Sequence, residues 1–87
     1  MYYVYVLKSL KDKELYIGFS DDLKERFKKH SKGDVNSTKE RRPLELIYYE
    51  SYKSEKDART RETKLKQHRN SFKELKKRID DSLKDNK

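Results

Sequence analysis

The chain has 87 residues, 46% charged and 31% hydrophobic, with a formal net charge of +8. That length suits one small domain with a thin core. The lack of cysteine excludes disulfide scaffolds and thiolate zinc sites, and no apolar run approaches the ~18 residues of a membrane span, so a cytoplasmic protein with no membrane association is expected.

In chain order, residues 2–7 (Tyr-Tyr-Val-Tyr-Val-Leu) are aromatic and β-branched, the composition of a strand. Residues 8–13 are polar and read as a turn, and residues 15–19 as a second strand. A hairpin centred near Leu10 and Lys11 sets Tyr5 opposite Tyr16, with Cβ atoms roughly 5 Å apart. Ser20-Asp21-Asp22 reads as a helix start, an N-cap followed by acids that suit the helix dipole. The helix is expected to run to about Lys32, with Gly33 as its stop. Residues 33–43 form a polar loop with room for a short helical turn, and residues 44–52 a third strand.

Ser54 with Asp57 three residues on resembles a capping box for a helix to about His68. Asn70-Ser71 with Glu74 starts a last helix, whose stripe is Phe72, Leu75, Ile79 and Leu83. Residues 84–87 are expected to fray. The order β-β-α-β-α-α implies an α/β domain: a small three-stranded antiparallel sheet flanked by helices. The expected organisation is a single domain over 1–87, with a core over about 2–70 and a basic helix over about 71–84.

Three side chains break the apolar patterns. In the helix after Ser54, Ala58 and Leu65 stand at i and i+7, and Glu62 falls on the same stripe between them. A carboxylate there requires an ion pair or a metal; Arg59, Arg61 and Lys66 are within reach for the first. His30 continues the stripe of Leu23 and Phe27, where it suits a core histidine with one satisfied nitrogen or a functional imidazole, and Arg26 lies beside it. Gly18, two residues after Tyr16 on the same strand face, leaves a hollow beside a phenol.

These residues resemble the GIY-YIG nuclease superfamily. The second triplet of that signature is intact as Tyr16-Ile17-Gly18, and the first is degenerate as Tyr3-Val4-Tyr5, with Tyr3 in place of glycine. The spacing of 11 residues from Tyr5 to Tyr16 fits, as do Arg26, His30, Gly33, Thr38, Pro43, Leu46 and Tyr49 in order. Ala58-Arg59-Thr60-Arg61-Glu62 resembles the family's metal-binding helix. The match spans residues 2–70 and is nearest to small stand-alone bacterial proteins related to an N-terminal domain of excinuclease ABC, a DNA repair enzyme. An asparagine that many members carry downstream of the glutamate is not evident; Phe72-Lys73-Glu74-Leu75 stands in that region.

The resemblance implies an endonuclease hydrolysing DNA with one Mg²⁺ or Mn²⁺ ion held by Glu62. It implies Tyr5 as the favoured general base, Tyr16 orienting water or phosphate, Arg26 neutralising the phosphate and lowering the tyrosine pKa, and His30 supporting the tyrosines. Tyr5 and Tyr16 can exchange roles. The alternative is a weakly active or inactive nucleic-acid-binding module of the same fold.

Charge adds a partner. Residues 1–52 hold 11 basic and 9 acidic side chains, and residues 53–87 hold 13 and 7. Such a basic excess suits a polyanion or simply a solvated lysine face. Lys73, Lys76 and Lys77 on the last helix are the first choice for phosphate contacts, with Lys28, Lys29, Arg41 and Arg42 as the other surface.

Overall fold

Alternation along strand β1 (Tyr2–Ser9) sorts the molecule into two sides. Tyr2, Val4 and Val6 point one way and Tyr3, Tyr5 and Leu7 the other, and every residue from Val4 to Ser9 is buried. Burial on both faces is possible because β1 is the middle strand. In the computed structural model, which describes residues 1–84, β2 (Leu15–Ser20) and β3 (Leu44–Tyr52) flank it in one antiparallel sheet of order β2-β1-β3. Helix α1 (Leu23–Lys32) and a single 3-10 turn (Lys39–Arg41) lie between β2 and β3; α2 (Glu55–Gln67), α3 (Arg69–Arg78) and α4 (Asp80–Leu83) follow β3. The architecture is the expected α/β one.

The side of Val4 and Val6 holds the apolar core, where Ala58, Leu65, Leu75 and Ile79 pack with Ile17, Ile47 and Phe72 around them. The opposite side is closed by α1 and the 3-10 turn and is more polar. His30, Thr38 and Ser9 are buried there.

Three local expectations are corrected. The hairpin pairs Tyr5 with Gly18 and Tyr16 with Leu7, not Tyr5 with Tyr16. Ser9 Oγ accepts the backbone N–H of Lys11 and Asp12, each at 3.1 Å, and Lys13 takes a left-handed φ of 64°. These features shift the turn towards its C-terminal side. The cap of α1 is Asp22, whose carboxylate accepts the Glu25 N–H at 3.1 Å, not Ser20. The last helix begins at Arg69 without a side-chain cap and breaks at Ile79 into α3 and α4. Of the residues expected to fray, Lys84 follows α4, and 85–87 lie outside the described residues.

A bulge sits between Val6 and Leu7, where β3 carries Ile47 as an extra residue. Beyond it Tyr49 comes into register opposite Tyr5, and Leu46 opposite Leu7.

Candidate active site

Tyr5 occupies the centre of the central strand and is 1% exposed. Its ring lies over its cross-strand partner Gly18, where a Cβ would overlap Cζ and the hydroxyl. The hollow at Gly18 is real, and Tyr5 itself fills it. Tyr16 lies one step diagonally along the hairpin, half-buried, its ring centroid 6.5 Å from that of Tyr5.

His30 reaches the pair from the inward face of α1 and is fully buried. Its Nε2 is 2.8 Å from the Tyr5 hydroxyl, and its Nδ1 is 2.8 Å from Oγ1 of Thr38, also fully buried. Tyr16 meets the imidazole edge-on at 5.3 Å between centroids, and Ser37 Oγ donates to its hydroxyl at 3.4 Å. Burial, then the Arg26 charge, lowers the His30 pKa to about 4, so the ring is neutral near pH 7.

Burial also raises the Tyr5 pKa. Arg26 pulls it down as expected, but desolvation outweighs that pull, and Glu62 and Tyr16 add to the rise. The Tyr5 hydroxyl in turn raises the pKa of Arg26. Among the described residues, Arg26 Nε is a buried side-chain donor with no hydrogen-bond partner, and such a donor suits an incoming oxygen.

Glu62 acts on Tyr5 through its charge, while its carboxylate is bridged to Lys66 at 2.9 Å. Of the three cations within sequence reach, the other two are engaged elsewhere. Arg59 pairs with Glu55 at 3.3 Å and covers the Phe19 ring at 3.8 Å, and Arg61 pairs with Glu50 at 2.9 Å. No cluster of three His, Cys, Asp or Glu side chains converges on a metal position among the described residues. A single carboxylate fits only a cation that keeps most of its water, as Mg²⁺ does.

A cleft of about 480 Å³ opens between α1 and the start of α2, bordered by Arg26, Lys29, Glu55 and Arg59. Lys28 and Lys29 are exposed on α1, and Lys73, Lys76 and Lys77 on α3. Leu75 anchors α3 in the core beyond Val4 and Val6; its lysines therefore lie across the sheet from Tyr5, not beside it as expected. Arg41 is bound to Asp12 at 2.9 Å, and Arg42 Nε donates to the Lys39 carbonyl at 3.0 Å.

Two groups escaped the sequence reading. Thr38 was visible only as a motif match, because a loop residue eight positions after His30 carries no periodic signal. Glu50 gathers Tyr48, Tyr52 and Arg61 around one carboxylate. Its signal was the 48-50-52 alternation, which sets a carboxylate between two tyrosines on the core face.

A three-stranded sheet carrying paired tyrosines, an arginine and a histidine on one side defines a nuclease-type domain. The model of the GIY-YIG catalytic domain matches residues 1–80, and the chain belongs to that nuclease family, whose members act on nucleic acids. It is 39% identical over 67 residues to a UPF0213 protein of Clostridium perfringens, covering 76% of this chain and 71% of the relative. It is 41% identical over 73 residues to a UPF0213 protein of Pediococcus pentosaceus, covering 83% and 76%. The solution NMR structure of a UPF0213 protein from Bacillus halodurans superposes with a TM-score of 0.53 at 32% identity, covering 86% of this chain and 82% of that one. No helix among the described residues is long and apolar enough to cross a membrane.

Proposed function

We propose that this protein is a metal-dependent endonuclease that hydrolyses phosphodiester bonds in DNA, structured DNA included. The observation that carries the reading is the buried chain Tyr5–His30–Thr38, with both links at 2.8 Å. Three buried polar side chains are a heavy load for so thin a core. A phenol set against a neutral imidazole gives them a chemical purpose.

With Nδ1–H donated to Thr38, Nε2 keeps a lone pair towards Tyr5. As the Tyr5 oxygen takes a proton from the attacking water, its own proton passes to Nε2. One O–H bond forms, another breaks, and the positive charge ends on the imidazole. That exchange requires no free phenolate, which burial opposes. Tyr16, the more accessible phenol, holds the water or a phosphate oxygen. Arg26 offers its unpaired Nε to the phosphate, whose growing charge offsets the imidazolium.

Glu62 would hold Mg²⁺ or Mn²⁺ once Lys66 gives way. Such an ion supplies Lewis-acid stabilisation of the departing 3′-oxygen. The bond from phosphorus to that oxygen breaks as the water oxygen attaches, with no covalent enzyme intermediate.

A second reading is a domain that grips nucleic acid without cutting. It draws on the 1% exposure of Tyr5 and the Lys66 bridge on Glu62.

Nicking of supercoiled plasmid with Mg²⁺ or Mn²⁺ separates the two. The wild type should nick, and Glu62→Ala should not, with its stability within about 1 kcal/mol of the wild type because the lost ion pair is partly exposed. Tyr5→Phe should lose roughly 10²–10⁴-fold in rate, and Tyr2→Phe, on the other sheet face, little. A larger loss in Tyr16→Phe than in Tyr5→Phe would exchange their roles. Plasmid binding without nicking under either metal would establish the binding module instead.

A further inference from the structure

The proton chain does not use a second aromatic group on the same side of the sheet. Tyr49 is opposite Tyr5 in the β1–β3 register, and Tyr3 precedes Tyr5 by two residues, so all three rings leave the same face. Tyr5 is covered, whereas Tyr49 is 53% exposed. The Tyr3 and Tyr49 rings meet edge-on, with centroids 6.0 Å apart. They form one wall of a cleft of about 600 Å³, and α1 supplies the other with Leu23 and Phe27.

Lys24 and Lys28 stand on the rim. Asp21 and Asp22 also border the cleft, but the Asp22 carboxylate is engaged in capping α1. Tyr3 stands where the family signature has glycine, so this chain adds a ring to the wall.

We infer that this cleft is a stacking site for an unpaired nucleobase adjoining the scissile phosphate, so that the substrate has single-stranded character at the cut. The inference rests on the proposed nuclease function. Flat rings at the back of a cleft accept any base by its π-face, and lysines at the rim take the phosphates on either side. Tyr3 is one side-chain step along β1 from Tyr5, roughly 7 Å, so a base held here keeps its neighbouring phosphate over the proton chain. A duplex keeps its bases stacked inside and offers the cleft nothing flat.

The test is binding of fluorescent oligonucleotides to the full chain in EDTA, which stops cleavage. A single strand, a forked duplex and a blunt duplex are compared for the wild type, Tyr49→Ala and Tyr49→Phe. Loss of one stacked base should weaken single-strand and fork binding by about 5- to 150-fold in Tyr49→Ala. Blunt-duplex binding should hold, and Tyr49→Phe should restore the difference. An abasic position walked along the single strand should penalise the wild type at one place and leave Tyr49→Ala indifferent, since the phosphate is retained.

Equal losses on all three substrates, or none, would overturn the stacking site while leaving the nuclease reading standing. A wild type that binds no nucleic acid would overturn both. A self-associating wild type that becomes monomeric in Tyr49→Ala would give this face to a second copy and overturn the inference.

Discussion

His30 is where burial and chemistry make opposite demands. A solvated imidazole takes up a proton near pH 6.5, but this one does so only near 4. Between those values the unfolded chain binds a proton that the folded chain refuses. The stability tied to its neutral state is therefore complete above about pH 6.5 and is lost as pH falls towards 4. The melting temperature of the wild type should fall more steeply across that window than that of His30→Phe, which has no proton to gain. Parallel profiles would remove His30 from the acid response. Tyr5 shows the same economy. Its hydroxyl lies over Gly18 and against His30, so one missing Cβ makes room for a phenol between two strands.

At the scale of elements, the join between β3 and α2 depends on one carboxylate. Glu50 accepts hydrogen bonds from Tyr48 and Tyr52 on its own strand and from Arg61 on α2, whose Nε and terminal nitrogen both lie at 2.9 Å. Burial alone would raise the Glu50 pKa, but Arg61 and the two phenols outweigh it and hold it low. Burial and the Glu50 charge push Tyr52 up to about 12. Glu50→Ala leaves two phenols and a guanidinium without their partner and should cost about 1–3 kcal/mol in urea unfolding. A loss under ~0.5 kcal/mol would reduce the cluster to surface decoration. Elements closed by local chemistry were legible in the sequence. Ser54 caps α2 where its spacing to Asp57 says it should, and β3 keeps its expected bounds. Those set at a distance were not. The hairpin register depends on Ser9 Oγ folding back over its own turn. The start of α3 follows from seating Phe72 and Leu75 in the core, which overrides the capping preference of Asn70 and Ser71. The site divides the same way: motif spacing marked Tyr5, Tyr16, Arg26 and His30, whereas only tertiary structure joins Thr38 to the imidazole.

Across the whole molecule, the basic surface splits into a front and a back. Lys28 and Lys29 share the side of Tyr5, whereas Lys73, Lys76 and Lys77 ride on α3 behind the core. Lys76 already lies 4.9 Å from the Phe72 ring, and Lys77 is 3.8 Å from Glu74. Changing Lys28 and Lys29 to Gln should flatten the slope of log K against log salt by up to roughly 0.9 per residue on duplex and 0.7 on single strands. The α3 triple change should do less per residue, and neither should alter the rate at saturation. A steeper effect from the triple variant would move the nucleic acid to the back face. The central strand β1 precedes both of its partners in the chain, with Tyr2 paired to Tyr52, and Lys8 donates to the Leu83 carbonyl at 2.6 Å. A chain leaving the ribosome thus makes the middle of its sheet first. At ~5–20 residues per second it carries that aromatic strand for seconds, with one edge bare, before β3 arrives. Such a strand invites pairing with a neighbouring nascent chain, and the crowd of like charges around it repels that neighbour. The lysine excess that points to a polyanionic partner also keeps the half-made sheet in solution.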